Sequence, residues 1–297
     1  MKFEMKNRLK PCAAVSVAIM LVALVMNMMG MGMNLGIDFT GGTLMTYNMG
    51  QTFANADVEA ALAQCGIADA QIAATGENNT QVQIRIKDVE NTDDLRDQLE
   101  AALAVNYPAI EYVDITRVGA VVGAELISNA IKSLTLAAVL MLVYIAFRFD
   151  LYSGLAAIIG LVHDVAIMMS FVVILRSFIR VETTFIAALL TIVGYSINNT
   201  IIIFDRIREN SHKAGVRQLP REQIVNLSVT ESLPRTLNTT ITTLLTVVTL
   251  YILGVDSIKQ FALPLIIGIV AGTYSANMIN GYVWALLMDM RAKGKKA

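Results

Sequence analysis

The sequence predicts a polytopic α-helical membrane protein with six transmembrane helices and one α+β domain between the first and the second helix. Its 297 residues are 55% hydrophobic and only 16% charged, and the mean hydropathy is +0.58. Because soluble domains carry about 25% charged residues, this composition indicates an integral membrane protein. Six long apolar runs are present, and the only long polar segment lies between the first two of them.

The first apolar run covers residues 11–33 and follows a short basic segment. The basic residues are Lys2, Lys6, Arg8 and Lys10. The run is long enough to span the ~30 Å hydrocarbon core of a bilayer. A signal peptide is the alternative, but no small-residue cleavage motif follows the run. We therefore expect an uncleaved first transmembrane helix within residues 1–34.

The polar segment 35–125 predicts a ferredoxin-like domain. Apolar residues alternate where strands are expected and recur every three or four residues where helices are expected. Gly66 follows the first helix as a cap, and Thr92 is suited to cap the start of the second. The predicted elements are a strand over 37–48 interrupted by Gly41 and Gly42, a helix over 54–65, a hairpin of strands 71–75 and 81–87, a helix over 92–105 and a strand over 110–118. The order β-α-β-β-α-β is that of ferredoxin-like folds.

The remaining segment, residues 126–297, contains five further apolar runs that short loops mostly connect. They cover residues 127–147, 151–175, 183–204, 237–253 and 261–288. We expect each to form a transmembrane helix, and the last is long enough to tilt or to extend beyond the hydrocarbon core. The exceptional loop is 205–233, which is charged and predicted to be partly helical.

The placement of lysine and arginine predicts the orientation in the membrane. One side of the membrane holds the basic N-terminal segment, the loop 205–233 and the C-terminal tail. The basic residues of the loop and the tail are Arg206, Arg208, Lys213, Arg217, Arg221, Arg291, Lys293, Lys295 and Lys296. The short loops on the other side hold only Arg176, Arg180 and Lys259. The positive-inside rule therefore predicts that both termini are cytoplasmic and that the domain 35–125 is external.

Polar residues interrupt two of the apolar runs and are candidate functional residues. His163 and Asp164 lie midway along the third run, and Asn198, Asn199 and Thr200 lie within the fourth. A polar side chain in hydrocarbon is costly unless it meets a partner, so such groups are functional candidates by default. The alternative for His163 and Asp164 is a structural hydrogen-bonded pair between helices.

The fifth run carries a polar face on an otherwise apolar helix. Residues on this face recur at steps of three or four, namely Arg235, Asn238, Thr242, Thr246 and Thr249. Such a face must meet protein or water. The alternative for Arg235 is an anchor that reaches the membrane surface, and the alternative for the threonines is helix packing with hydrogen bonds to the backbone.

Glycine-rich stretches flank the polar segment at both ends. From the residues alone, the stretch 36–42 is a strand start with a glycine bulge, and the stretch 118–126 is a hinge, because glycine lowers the cost of bending. In the sixth run, Gly268 and Gly272 predict close helix packing, and Ser275 and Asn277 continue their face.

Four motifs in this order resemble the SecD/SecF family of bacterial protein-export membrane proteins. They are GIDFTGG at 36–42, VGAVVGAEL at 118–126, GYSINNT at 194–200 followed by FDRIREN at 204–210, and RTLNTTITT at 235–243. The resemblance covers nearly the whole chain, and the family also has His-Asp at the position of 163–164. It implies a polar transmembrane cluster of His163, Asp164, Asn198, Asn199, Thr200, Asp205, Arg235, Thr239, Thr240 and Thr243. It also implies that Asp38, Gly41, Gly42, Gly119 and Gly123 set the angle and mobility of the external domain.

The resemblance further implies a location and partners. The expected location is the bacterial cytoplasmic membrane, and the expected partners are SecD, the SecYEG translocon, YajC or YidC, and the translocating unfolded polypeptide. The family belongs to the RND superfamily and uses the proton-motive force, or sodium in some members. The resemblance therefore implies an auxiliary export subunit whose only cofactor is a coupling ion.

Asn199 departs from the family pattern, in which this position is usually Asp and its carboxylate is held to carry the proton. An amide does not titrate near neutral pH, so Asn199 cannot take up and release a proton. Three explanations are open. The first is that the coupling is carried elsewhere, by Asp164 with His163, by Asp205 or by SecD. The second is that the ion is sodium, bound by neutral oxygens of Asn199, Thr200 and the face Thr239–Thr243. The third is that the substitution traps one state.

Two other functions compete with the export subunit. Half of an RND-type small-molecule exporter would need a larger external domain for a substrate pocket. A scaffold protein would need no coupling residues, and His163, Asp164 and Arg235 argue against it. The sequence has no P-loop, HExxH or paired-cysteine metal motif, so we expect neither ATP use nor a structural zinc. The resemblance to export subunits implies a protein that is not an enzyme.

Overall fold

The computed structural model describes residues 6–67, 70–87 and 91–294. The basic residues Lys2, Lys295 and Lys296, which contribute to the predicted orientation, lie outside this described part. The chain forms two compact units. One contains Met1–Asn34 and Ile131–Ala297, and is called here the membrane unit; the other is Leu35–Ala130, called here the polar unit.

The elements follow one another in a simple order. They are α1 (Lys6–Met28), α2 (Ile37–Thr40), β1 (Gly42–Asn48), α3 (Asn55–Gln64), β2 (Ala70–Thr75), β3 (Gln81–Ile86), α4 (Thr92–Ala104), β4 (Glu111–Val118), α5 (Ala120–Arg148), α6 (Leu151–Ile174), α7 (Thr183–His212), α8 (Arg221–Leu253), α9 (Asp256–Ser275), a π-helical segment (Ala276–Asn280) and α10 (Gly281–Gly294).

Six helices in the described part are long and apolar enough to cross a membrane. They are Lys10–Met28, Val121–Arg148, Leu151–Ile174, Thr183–His212, Arg221–Leu253 and Asp256–Lys293. The predicted polytopic fold is thus confirmed. Helices α6, α7 and α9 are the most enclosed, whereas α1, α5 and α8 lie at the periphery of the membrane unit and expose most of their side chains.

The predicted loop 205–233 is largely helical, because α7 continues to His212 and α8 begins at Arg221. Ion pairs support this extension. Glu209 meets Arg206 at 2.7 Å and Lys213 at 3.1 Å, at the three- and four-residue spacings that favour a helix. Gly215, with φ +83°, lies in the turn between the two helices. The apolar runs end at 204 and begin again at 237, whereas α7 continues to His212 and α8 already begins at Arg221.

The sixth span is a helix with a π-helical segment in its middle. The segment Ala276–Asn280 joins α9 to α10 without a break in the chain of helical residues. Such wider turns are rare and occur often at functional sites. Two of its side chains, Asn277 and Asn280, are buried and polar.

The polar unit has a four-stranded antiparallel sheet in the order β2-β3-β1-β4. This topology is the ferredoxin-like arrangement that the sequence predicts. Strand β3 alternates as expected, with Val82, Ile84 and Ile86 buried. These side chains pack with Leu62 of α3 and Leu99 of α4 in one core. Burying each such side chain contributes about 1.5–3 kcal/mol.

Two details of the polar unit correct the sequence-based expectations. Residues 37–40 form the helical turn α2 instead of a strand, because Gly41 (φ +70°) and Gly42 (φ +125°) let the chain reverse into β1. A Cβ at Gly42 would lie 2.5 Å from the Ile86 carbonyl oxygen, so the strand pairing also requires glycine. Thr92 is the first residue of α4, and the capping position is Asn91.

Gly123 lies in the first part of α5, which begins earlier than the predicted run at 127. A Cβ there would lie 2.6 Å from the carbonyl oxygen of Phe39 and 3.0 Å from that of Asp38. Glycine is therefore required for close packing of α5 against α2. No atom lies within 4 Å of a Cβ at Gly119. The hinge role of the two glycines stays a prediction.

Candidate functional site

Asp164 lies in the middle of α6 and is fully buried, at 0% exposure. Its Oδ1 is 3.0 Å from Nδ1 of His163. Its Oδ2 accepts hydrogen bonds from the hydroxyls of Ser196 on α7, at 2.5 Å, and Ser275 on α9, at 2.8 Å. A buried carboxylate is tolerated only when it is hydrogen-bonded and paired, and three helices here supply those partners.

His163 extends the hydrogen-bond chain to a fourth helix. Its Nε2 is 2.8 Å from the hydroxyl of Ser16 on α1, which is buried at 4% exposure. Its ring stacks against Tyr274, with 6.3 Å between the ring centroids. The chain therefore runs from Ser16 through His163 to Asp164, and ends at Ser196 and Ser275. We call these five residues the Asp164 network.

Glycines on α9 create the space in which the Asp164 network packs. A Cβ at Gly272 would lie 3.1 Å from Cβ of Ser196 and 3.5 Å from Oδ2 of Asp164. A Cβ at Gly268 would lie 2.5 Å from Cγ1 of Ile192. The predicted close packing of this face is confirmed. Helices α7 and α9 approach closely enough for both serines to reach one carboxylate oxygen.

Asn199 belongs to a second, neutral network. It is fully buried, and its Nδ2 donates to Oγ1 of Thr273 at 3.3 Å. Thr273 is in turn 2.8 Å from Oγ1 of Thr240, which accepts from the Tyr195 hydroxyl at 3.1 Å. The Oδ1 of Asn199 is a buried acceptor without a donor.

The π-helical segment contributes two more amides to the interior. Asn280 donates from Nδ2 to Oγ1 of Thr200 at 2.8 Å, while its Oδ1 has no donor. Asn277 accepts from the Thr236 hydroxyl at 3.3 Å and donates to the Thr273 carbonyl at 2.7 Å. The segment therefore connects α7, α8 and α9 through side-chain amides.

The structure brings only some of the predicted residues together. His163, Asp164, Asn199, Thr200 and Thr240 take part in the interior networks described above. Asn198 is exposed, because consecutive residues of a helix point in directions about 100° apart.

Asp205 also lies outside the interior networks. Its side chain is 59% exposed and meets that of Arg148 at 3.4 Å. This position follows from the extension of α7 beyond the apolar run, which carries Asp205 away from the middle of the helix.

The polar face of α8 lies on the outside of the membrane unit. Arg235 is exposed and makes no ion pair within the described residues. The hydroxyls of Thr239 and Thr243 donate to carbonyls four residues earlier, each at 2.9 Å. The structure therefore agrees with the alternative interpretation of these threonines, in which their hydroxyls bond to the backbone of their own helix. It weakens the expectation that they act with Asp164.

Seven members of the site were not among the predicted residues: Ser16, Tyr195, Ser196, Thr236, Thr273, Tyr274 and Asn280. Ser196 could have been found, because it precedes Asn199 by three residues and Thr200 by four and so shares their helix face. Ser16 carried no such signal. A single serine in an apolar run is common, and its meaning depends on which helix packs beside it.

The fold and the buried polar networks define a multi-pass membrane protein with polar side chains in its interior, and the comparisons with known proteins give its family. The description "Protein export membrane protein SecD/SecF, C-terminal" matches residues 98–290, and "SecD/SecF GG Motif" matches residues 28–52. The chain belongs to the SecD/SecF family of protein export membrane proteins.

Individual relatives agree with this family. The chain is 36% identical over 260 residues to the protein translocase subunit SecF of Thermobaculum terrenum, covering 82% of this chain and 81% of that protein. It is 35% identical over 245 residues to SecF of Haemophilus influenzae, covering 82% and 74%.

Two solved structures are also similar. SecDF of Thermus thermophilus, described as a translocon-associated membrane protein, matches with a TM-score of 0.80 and 33% identity over 95% of this chain. SecDF in a super-membrane-facing form matches with a TM-score of 0.67 and 31% identity over 97% of this chain. The chain spans 38% and 40% of the length of these two SecDF chains.

Proposed function

We propose that this chain is an auxiliary subunit of the Sec machinery that, with SecD, couples an ion gradient to late steps of protein translocation across the cytoplasmic membrane. Family membership and the SecF relatives support the export role. The similarity to SecDF supports SecD as the partner, because this chain matches a part of that longer protein. The lysine and arginine placement supports cytoplasmic termini and an external polar unit.

Asp164, assisted by His163, is the group that carries the proton. The observation behind this assignment is that Asp164 is the only buried carboxyl group in the described residues, and that side chains of three helices bind it. A carboxyl group in that position can take up and release a proton, and each change alters the hydrogen bonds between helices. Asn199 cannot titrate, and Asp205 lies in an exposed ion pair.

Sodium is a second candidate for the coupling ion, for one specific reason. Asn199 Oδ1 and Asn280 Oδ1 are buried acceptors that no donor in the described residues reaches. Neutral oxygens of this kind are suitable ligands for a hard cation. Sodium coupling would use these oxygens and leave Asp164 as a structural residue.

The exposed side of α8 is the surface on which we place SecD. It combines the polar residues Arg235 and Asn238 with large apolar residues, among them Ile241, Leu245 and Ile252. Polar side chains on the outside of a transmembrane helix call for a protein partner in the bilayer. SecYEG, YajC or YidC, and the translocating polypeptide remain expected partners of the complex.

The proposal is tested by gradient-driven export in membrane vesicles that contain the complete complex. Asp164→Asn is expected to lower proton-driven export by at least about tenfold while its amount in the membrane stays near normal. Asp205→Asn is the matched control, since it makes the same substitution in a surface ion pair, and it should export normally. Unchanged export by Asp164→Asn would show that Asp164 does not carry the proton.

The same vesicles distinguish the two ions. If a sodium gradient drives export by the unmodified protein and a proton gradient does not, the sodium assignment is correct and the Asp164 assignment is wrong. If neither gradient drives it and Asn199→Asp restores proton-driven export, the chain is an uncoupled form. Proton-driven export that requires Asp164 and is indifferent to sodium supports the proposal.

A further inference from the structure

We infer that Ser16 is a positioning residue of the Asp164 network, and that the hydrogen bond between Ser16 and His163 reverses its direction when the network takes up a proton. The inference rests on the proposed function, in which this network is the one that takes up a proton. It assigns to α1 a part in the site that the proposed function does not give it.

The hydrogen-bond directions of the unprotonated network follow from the partners of Asp164. The ionised carboxylate only accepts, so Ser196 and Ser275 donate to Oδ2 and His163 donates to Oδ1 from Nδ1. A neutral imidazole has one N–H, and here Nδ1 carries it. Nε2 is therefore an acceptor, and the Ser16 hydroxyl, 2.8 Å away, donates to it.

Uptake of one proton changes this pattern at Nε2. The proton binds the lone pair of Nε2, which gives an imidazolium beside a carboxylate. The Nδ1 proton can then pass to Asp164 Oδ1, which gives a neutral imidazole beside a carboxylic acid. In both forms Nε2 carries a hydrogen and donates to the Ser16 oxygen. The direction of the bond thus reverses, whichever residue formally holds the charge.

The reversed bond requires a new acceptor for the Ser16 hydroxyl hydrogen. Tyr274 provides one, because its hydroxyl oxygen is buried, accepts no geometrically ideal hydrogen bond in the described residues and lies close enough to Ser16 and Cys12 to interact with both. It stacks on His163 and so stays close to the same chain of hydrogen bonds.

Few other charged or titratable groups surround the network. From α1 and α9 the titratable neighbours are Cys12 and Tyr274. From α7 and α9 the hydrogen-bonding neighbours of Asp164 are the neutral Ser196 and Ser275. In the described residues, the one group that forms an ion pair with Asp164 is His163. Proton uptake is therefore not compensated by another ionic group.

Helix α1 is well placed to respond to this reversal. Among residues 10–28, only Ser16 and Ala23 are buried, and the remaining side chains are partly or largely exposed. Ser16 is thus the one buried polar side chain among residues 10–28 of α1. The chain enters the polar unit at Leu35, soon after α1 ends at Met28, so α1 is one of the two covalent connections between the site and that unit.

A competing arrangement makes a distinct prediction. The proton could instead bind Asp164 at Oδ2, and the new O–H would then donate a hydrogen bond to the Ser275 oxygen. The Ser275 hydroxyl would donate its own hydrogen bond to the Gly272 carbonyl, 3.2 Å away. In that case the protonation of His163 would not change, and Ser16 would remain a donor. Measurement of the two ring nitrogens separates these arrangements.

The first experiment uses nitrogen NMR on the full chain in lipid nanodiscs, with isotope-labelled histidine. The protein has two histidines, His163 and His212, so His212→Gln leaves one signal set. We expect Nδ1 to carry the proton and Nε2 to lack it at high pH, and Nε2 to become protonated as the pH falls. A titration in which Asp164 is protonated while Nε2 stays bare, or no change at His163, overturns the inference.

The second experiment measures how gradient-driven export depends on pH. Ser16→Ala should move the midpoint to lower pH by about half a unit to one unit, because it removes a hydrogen bond that is stronger to the protonated ring. Ser16→Thr keeps the hydroxyl and should restore the profile. The control is Ser170→Ala on α6, which is equally buried but bonds only to the carbonyl of Ala166, at 2.7 Å.

The outcomes separate the inference from the proposed function. If Ser16→Ala and Ser170→Ala both lower export without moving the midpoint, Ser16 is only structural and the inference is wrong. That result leaves the role of Asp164 intact, because the Asp164→Asn comparison decides it independently. If Asp164→Asn exports normally, the proposed function fails whatever the profile of Ser16→Ala.

Discussion

Replacement of Gly160 by alanine should destabilise the membrane unit more than the same change at any open glycine of these helices. Gly160 lies on α6 opposite Asn280, and a Cβ there would lie 2.5 Å from both Cγ and Nδ2 of that amide. The amide would have to move as a whole. It would lose its 2.8 Å hydrogen bond to Thr200 in a place that water does not reach.

The magnitude follows from two contributions and one offset. Overpacking a well-filled interior costs about 1–3 kcal/mol, and a buried amide without a partner costs about another 1–3 kcal/mol. The better helix propensity of alanine returns about 1 kcal/mol. We therefore expect Gly160→Ala to lower the free energy of unfolding by about 1–5 kcal/mol.

The assay is equilibrium unfolding of the purified chain in mixed micelles. Gly194→Ala on α7 is the control, because no atom lies within 4 Å of its added Cβ, and it should be neutral or slightly stabilising. The double variant with Asn280→Ala should lose less than the sum of the single changes, since the clash is gone. Equal stability of Gly160→Ala and Gly194→Ala would refute this account of the interface.

Three further predictions concern other parts of the chain. Gly123→Ala should lower the stability of the polar unit by about 1–3 kcal/mol, because the added Cβ meets the Phe39 carbonyl. Gly119→Ala should leave the stability unchanged, and hydrogen exchange of the sheet amides measures the effect of each variant. Burial raises the pKa of Tyr47, so its stabilising contribution is present below about pH 10 and is lost as the pH rises through the higher folded-state value. Thermal unfolding at rising pH should show this loss and Tyr47→Phe should reduce it; an equal loss in that variant would assign it to another group. Arg235→Met should reach the membrane in normal amount but fail in export with SecD, and its absence from the membrane would instead indicate a folding role.

Patterns among near neighbours in the sequence were sufficient to predict most of the fold. The apolar runs were long enough to identify six spans, and alternation in β3 located a half-buried strand, because both signals depend only on near neighbours in the chain. The apolar runs stop short of the charged ends of α7 and α8, because these ends stay helical through ion pairs; the prediction that 205–233 is partly helical is confirmed. The prediction of a strand over 37–40 was wrong, because Gly41 and Gly42 adopt positive φ and the strand starts only after the helical turn, at Gly42.

The site was less predictable than the fold. Asp164 stood out because an ionisable residue in an apolar helix is rare. Its partners Ser16, Ser196 and Ser275 belong to three other helices, and their meeting depends on how those helices pack. The π-helical segment likewise leaves no simple trace in sequence, although it brings Asn277 and Asn280 into the interior.

The outward polar face of α8 has a consequence for biogenesis. If SecD covers α8 as proposed, a subunit that has left the insertion machinery alone leaves the exposed Arg235 and Asn238 without that partner, and acyl chains cannot form hydrogen bonds with either side chain. Most threonines of the same helix avoid this problem because their hydroxyls bond to their own backbone. The arginine and the asparagine thus mark an unassembled copy as incomplete, and they favour synthesis in step with a partner over accumulation of a free pool.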